Sequence, residues 1–384
     1  MFRKAYRLFL EADPERLHFA AHSHHFWPDC TRDAQLQYWD DSARLADQKW
    51  EHIFDSVIPK AQSHIARTLK LSRPQNLALA PNTHELITRL LSCFEQNRPL
   101  RVLTTDSEFH SFARQMARYE ELPNITVDRV CVEPFKDFTS RFIEQAAHGD
   151  YDLVFVSQVF YNSGFVFYGL SDLVNRLRAS KTTIVIDGYH AFCAIPTDLS
   201  AIEDRAFYLA GGYKYAQAGE GACFMHVPFD CSMRPLDTGW FAGFSRLGSA
   251  NTGAVQYDAD GMRFWGSTFD PSGFYRLNAV MDWWQRDGIT VELIHQHVRT
   301  LQNRFLELID EANVKFIGRF NLMNAERLDQ QGHFLTFKTV DAKHHHDKLR
   351  TKNIIVDYRA DRLRFGFSLY HDLATIEQLV KRLA

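Results

Sequence analysis

Between residues 77 and 227, short continuous apolar runs recur along the chain. They are LALA (77–80), RVLTT (101–105), VDRVCV (127–132), LVFVSQVF (153–160), TTIVID (182–187), AFYLA (206–210) and CFMHV (223–227). Most are separated by stretches with helical spacing. HELITRLLSCF, for example, places Leu86, Leu90, Leu91 and Phe94 on one face. Strands without polar alternation are covered on both sides, so the pattern predicts an α/β fold with a mostly parallel seven-stranded sheet between helices. A glycine-rich segment too short for a crossover helix joins the last two runs, which predicts one antiparallel strand.

After residue 274 the texture changes. YRLNAVMDWWQRDGITVELIHQHVRTLQNRFLELIDEA predicts long helix interrupted near Gly288. HFLTFKTV, NIIVDYR and RLRFGFS read as strands, and DLATIEQLVKRL as a closing helix capped by Asp372. The expected organisation is an N-terminal segment (1–45) against the mouth of a site, a large domain (46–273) and a smaller α+β domain (274–384).

Composition narrows the function classes. The 384 residues are 45% hydrophobic and 24% charged, with a formal net charge of -3, which gives no electrostatic basis for binding nucleic acid or an anionic membrane. No apolar run is long enough to span a bilayer. The opening MFRKAYRLFLEADPE has no sustained apolar stretch, so no signal peptide is expected. Six cysteines without a CxxC pair suit a reducing compartment, and the expected location is cytoplasmic.

Asp187 ends the run TTIVID, where open α/β sheets present side chains to a ligand crevice. His190 follows at D-x-x-H spacing. Lys214 lies past the end of the next run, inside GGYKYAQAGEG (211–221), whose glycines are expected to let backbone approach a bound ligand. A lysine amine whose charge is disfavoured by burial becomes a nucleophile toward aldehydes. Pyridoxal phosphate needs such a lysine, with an acid that keeps its ring nitrogen protonated. Asp187 and Lys214 supply both, and APNTHEL (80–86) opens a helix whose Asn82, Thr83 and His84 could cradle a phosphate. The same Asn82 and Glu85 also read as a capping box. No GxGxxG or GxxxxGK[ST] follows a strand, which argues against a nucleotide-binding protein.

DGYHAF…GGYKYAQAGEGACF resembles fold-type I pyridoxal-phosphate enzymes of the class V aminotransferase group, and kynureninase most closely. The resemblance implies that Lys214 is the Schiff-base lysine and Asp187 the partner of the ring nitrogen. His190 would lie near the ring, and Tyr213 would reach the phosphate and act as acid or base. TTDSEFHSF resembles the segment that stacks a ring on the cofactor, offering Phe109 first and His110 second. SQVFYNSG resembles the loop beside the ring oxygen, with Asn162 or Ser157 as the contact. RFWGSTFDPSG resembles the segment that reaches a partner subunit's phosphate, so Trp265, Ser267 and Thr268 become candidates and a homodimer with shared sites follows. Arg364 in DRLRFGFSLYHD would hold the substrate carboxylate.

The chain departs from the family pattern at Gly211 and Gly212, where a hydroxyl residue is usual, and at AAHSHHFWP, which brings His22 and His24 toward the substrate pocket. HSHH and KHHHDK lack a matching Cys or carboxylate cluster, so no metal is expected. No cysteine lies beyond Cys231, which argues against a desulfurase that needs a thiol in its small domain. The expected activity is kynureninase-like hydrolytic C–C cleavage at the β-carbon side chain of a small-molecule amino acid substrate, releasing alanine. The alternatives are a class V aminotransferase or a C–S or other β-lyase, and then a non-catalytic protein that only binds the cofactor.

Overall fold

The computed structural model describes residues 2–95, 97–248 and 253–383. Its strands, in chain order, are β1 (Leu17–His18), β2 (Leu77–Ala80), β3 (Leu100–Thr105), β4 (Ile125–Val130), β5 (Leu153–Ser157), β6 (Thr183–Asp187), β7 (Ala206–Gly211), β8 (Cys223–His226), β9 (Phe334–Lys338), β10 (Ile354–Ile355), β11 (Asp357–Arg359) and β12 (Arg362–Gly366). Seven of them form the main sheet in the order β2-β8-β7-β6-β5-β3-β4. Only β8 runs against its neighbours, pairing antiparallel with β2 and β7, while the remaining pairs are parallel. This is the expected mostly parallel α/β sheet, with the odd strand where the glycine segment leaves no room for a helix.

Burial explains the sequence texture. Every residue of β2, β5, β7 and β8 is buried. The edge strand β4 is instead only partly covered, with Val127 and Val130 buried and Thr126 and Arg129 exposed. An edge strand that meets water tolerates polar residues of this kind.

The helical stretch after residue 271 breaks as expected: Ser272–Asp287 ends at Gly288 (φ 66°), and Thr290 caps Val291–Glu311 by accepting from the Leu293 N–H at 3.2 Å. Ser272–Asp287 buries Phe274, Leu277 and Val280 in the core of the main sheet. A second core gathers Val298, Leu301 and Phe305 with Leu335, Phe337, Leu363, Phe365 and Leu379 around the antiparallel sheet β11-β12-β9. Asp372 caps the closing helix Leu373–Leu383, accepting from Thr375 N–H at 2.8 Å.

The N-terminal segment joins the two cores. β1 pairs in parallel with β10, and Leu17 and Phe19 enter the second core. Tyr6, Ala21 and Phe26 enter the first. NIIVDYR, one strand by pattern, is therefore two: β10 pairs with the N-terminus and β11 with β12.

Candidate active site

The parallel strands deliver their carboxyl ends to one crevice. Ser157 closes β5 directly opposite Asp187, which closes β6, and Asp187 is opposite Leu209 of β7. Lys214 follows three residues after the end of β7. These ends open into a cleft of about 530 Å³ that also receives Thr83, Phe109, His190, Tyr213 and Arg364. That volume suits a small organic ligand.

Lys214 is buried, with its Nζ 2.6 Å from His190 Nε2 and over the rings of Phe109 (5.3 Å) and Tyr189 (5.2 Å). Burial pulls its amine down to about 7; Asp187 opposes that fall, and Arg364 adds to it. A large share of the amine is therefore neutral and nucleophilic at neutral pH. Enclosure pushes the Asp187 carboxyl up, held back by the Tyr189 N–H that donates to it at 2.9 Å and by Lys214. Burial, then Lys214 and Arg364, keep His190 neutral.

Arg364 is 3% exposed and sits opposite Asp357 in the β11–β12 register. It donates to Asp357 and to the Tyr161 carbonyl, while its buried Nε has no partner. Arg359 donates to the other Asp357 oxygen at 2.6 Å and also lines the cleft. Two guanidinium groups thus share one carboxylate, leaving one positive charge uncompensated within the cluster. His22 lies beside it, fully buried and stacked on Phe334 (4.6 Å), with Nε2 3.8 Å from Asp357 and neither ring nitrogen hydrogen-bonded. Burial, then the nearby Arg364, keeps His22 uncharged. Unpaired buried polar atoms are costly, and those of Arg364 and His22 flank the cleft.

The remaining expected residues separate into two groups. Asn82 and Thr83 line the cleft, although Asn82 also caps Thr83–Leu91 by accepting from Glu85 N–H at 3.0 Å; His84 is exposed outside it. Phe109 lines the cleft, whereas His110 leans on Tyr161. Ser157 lines the cleft, whereas Asn162 lies outside it, accepting from Arg362 through its carbonyl. Tyr213 lines the wall and meets His24 Nδ1 at 3.0 Å. Trp265 does not reach the cleft: it is a core residue, 2% exposed, donating to the Leu77 carbonyl at 3.4 Å. Ser267 and Thr268 are exposed in a neighbouring hollow that meets the cleft at Pro81.

The glycines around Lys214 answer to the protein's own packing. A Cβ on Gly211 would lie 2.5 Å from Cys223 Sγ and 2.7 Å from the Tyr189 hydroxyl, too close for either. Gly219 has φ +69° and abuts Trp27.

Several residues in the cleft wall or directly behind it have no sequence signal of their own. Arg359 and Asp357 sit in a charge-rich hairpin that reads as surface. Cys223 lines the cleft as a thiol pushed up to about 12 by burial. Glu108 is 4% exposed behind Ser157 and reads as one more acid in TTDSEFHSF. A carboxyl between two strand-end hydroxyl residues, Thr105 and Ser157, could have drawn attention to it.

The aminotransferase class-V family model matches residues 31–358. Among solved structures, the complex between the cystine C-S lyase C-DES and its reaction product cysteine persulfide is 17% identical, with a TM-score of 0.82, covering 96% of this chain and 97% of that one. A C-DES mutant with glycine covalently linked to the PLP cofactor is 19% identical, with a TM-score of 0.82 and 98% of each chain covered. The apo cysteine desulfurase from Thermococcus onnurineus NA1 is 16% identical, with a TM-score of 0.80, covering 98% of this chain and 96% of that one. No curated protein matches significantly. At such identities these structures speak for the fold, which is that of fold-type I enzymes. The likeness to kynureninase rests on sequence motifs, most specifically the one around Asp187 and Lys214.

Proposed function

The chain belongs to the aminotransferase class-V family, and from that membership we propose a lyase that cleaves an amino acid at its β-carbon, with carbon–sulfur cleavage as the preferred reaction. Pyridoxal phosphate is the cofactor of this enzyme, and the donor set fits it. Lys214 would hold the aldehyde carbon, Asp187 the ring nitrogen, Phe109 the ring face, and the start of helix Thr83–Leu91 the phosphate. Bound in the cleft, it supplies an electron sink for charge developing at the substrate's α-carbon.

The observation that carries the reading is the pairing of a buried, largely neutral Lys214 amine with His190 in a cleft whose Cys223 stays protonated. Lys214 Nζ takes the proton from the substrate α-carbon, and His190 Nε2 steadies the amine between its two charge states. Arg364 and Arg359 share the substrate carboxylate with Asp357, the unpartnered Arg364 Nε being one free donor. His22 offers its unpaired ring nitrogens to the substrate side chain. A desulfurase must pass sulfur to a thiolate. Cys223 is a poor one, and no cysteine lies beyond Cys231. Sulfur therefore leaves on the product.

A second reading is kynureninase-type hydrolysis, favoured by the His24–Tyr213 pair at 3.0 Å, an acid–base couple able to hold a water. The exposed hydroxyls of Ser267 and Thr268 support a homodimer in which each subunit reaches its partner's phosphate. The six unpaired cysteines suit the cytoplasm.

Borohydride reduction followed by peptide mapping should find the cofactor on Lys214, and Lys214→Ala should lose both label and yellow colour. Pyruvate release from cystine or another S-linked amino acid supports the lyase. Alanine release from kynurenine supports hydrolysis instead, and keto-acid exchange alone makes the chain an aminotransferase. Protein that takes up no pyridoxal phosphate sinks all three.

A further inference from the structure

We propose that Glu108 is a positioning residue: it holds a proton on Oε2 and so turns the Ser157 hydroxyl into a hydrogen-bond donor toward the ring end of the cleft. The inference rests on that cleft holding pyridoxal phosphate. Glu108 is 4% exposed between the ends of β3 and β5 and forms no ion pair among the described residues. Its Oε1 accepts from Thr105 Oγ1 at 2.7 Å and from Ser157 N–H at 3.2 Å. Thr105 Oγ1 itself accepts from Ser107 N–H at 3.2 Å, so its own proton goes to Glu108. Oε1 therefore has two donors already. Ser157 Oγ donates to Oε2 in a short contact, and a proton on a neutral Glu108 belongs on that oxygen and reverses the bond, so that the hydroxyl accepts.

Burial without a nearby cation among the described residues, and one facing group, Asp187, favour that state against the three donors. Asp187 stands one strand away beside Ser157 and bears the same sign of charge. Asp106 turns elsewhere, accepting from Ser107 Oγ at 2.8 Å and Val132 N–H at 3.1 Å. Burial raises the Glu108 carboxyl to about 8; the Ser157 and Thr105 bonds oppose the rise and Asp187 adds to it. A hydroxyl that accepts a hydrogen bond from Glu108 points its own O–H at whatever lies in the cleft. When Glu108 ionises, Ser157 must donate backward and presents a lone pair instead. Ser157 thus donates to an oxygen anion near neutral pH and repels it in alkali.

Infrared spectra of the cofactor-free protein read the carboxyl directly. We expect a protonated-acid C=O band at neutral pH that fades through about pH 8 and is missing in Glu108→Gln. In the loaded enzyme, cofactor absorbance should shift over the same pH range. Glu108→Gln, whose amide N–H still donates to Ser157, should keep the neutral-pH spectrum throughout. Ser157→Ala should lose the transition altogether, and it carries the same test should Glu108→Gln fail to fold. A missing acid band at neutral pH overturns the inference, as does an unchanged spectral transition in well-folded Glu108→Gln. Failure to take up pyridoxal phosphate with the band present overturns the reading of the cleft instead.

Discussion

Lys214 sits among opposing influences, and each can be removed singly. Burial is the largest and pulls the amine to about 7, Asp187 pulls it back up, and Arg364 pushes it down. The sign of each substitution follows. In cofactor-free protein, the rate at which Lys214 reacts with an amine-selective reagent should rise through about pH 7, not through the ordinary lysine range. Asp187→Asn removes the anion that favours the charged form, so the midpoint should fall, by about one unit for a partner of this kind. Arg364→Gln removes a repelling cation, so the midpoint should rise. pH profiles of labelling at Lys214, read by mass spectrometry, check both directions. Two shifts of the same sign would contradict this account of the site.

The two elements that frame the cleft allow a separation of stability from binding. Asn82 caps Thr83–Leu91, so Asn82→Ala should cost about 1 kcal/mol of stability. Asn82→Asp keeps the acceptor and should hold the melting temperature, yet it adds a negative charge at the expected phosphate position and should weaken cofactor affinity. Equal cofactor affinity in wild type and Asn82→Asp would remove the phosphate from that helix. At the other side, Gly211→Ala pushes a methyl into Cys223 and Tyr189 and should lose about 1–3 kcal/mol, measured by denaturant unfolding. These elements also show what could be read from the sequence. Apolar runs located all seven strands of the main sheet, because burial on both faces of most of them leaves little place for polar residues. Asp187 and Lys214 were legible because they follow such runs. Glu108, Asp357 and Arg359 were not, because an acid or arginine in a polar segment looks the same whether solvated or buried by a distant strand. Trp265 misled for the converse reason: a motif-like neighbourhood does not say which way an indole turns, and the core claimed it. β1 was illegible since two residues paired with β10, more than three hundred positions away, leave no periodicity.

At the scale of the whole molecule, the N-terminal segment stitches the two cores together, and its stitches are neutral histidines. His371 donates from Nε2 to the His18 carbonyl at 2.7 Å and accepts the Ser368 N–H on Nδ1 at 3.1 Å. His18 Nδ1 meets the Tyr370 hydroxyl at 2.8 Å, and His25 joins the Phe26 carbonyl to the Ser368 hydroxyl. In His371 the acceptor nitrogen faces a backbone N–H, so a second ring proton has nowhere to go without breaking that bond. Burial pulls His25 and His371 down to about 3 and His18 well below its usual value. The unfolded chain protonates the same rings near pH 6.5. Between about pH 3 and 6.5 the unfolded state therefore binds more protons than the native one, and stability must rise with pH across that window. Each such ring contributes on the order of 1.4 kcal/mol per pH unit, so three acting together consume much of a domain's stability within two units. The melting temperature should fall steeply as pH drops below about 6. Calorimetry in buffers of different ionisation enthalpy should show proton uptake on unfolding. His371→Gln, which offers an amide donor and carbonyl acceptor but no titrating nitrogen, should flatten the acid limb even if it lowers the melting temperature at neutral pH. An acid limb of unchanged slope in that variant would move the origin of acid sensitivity away from this junction.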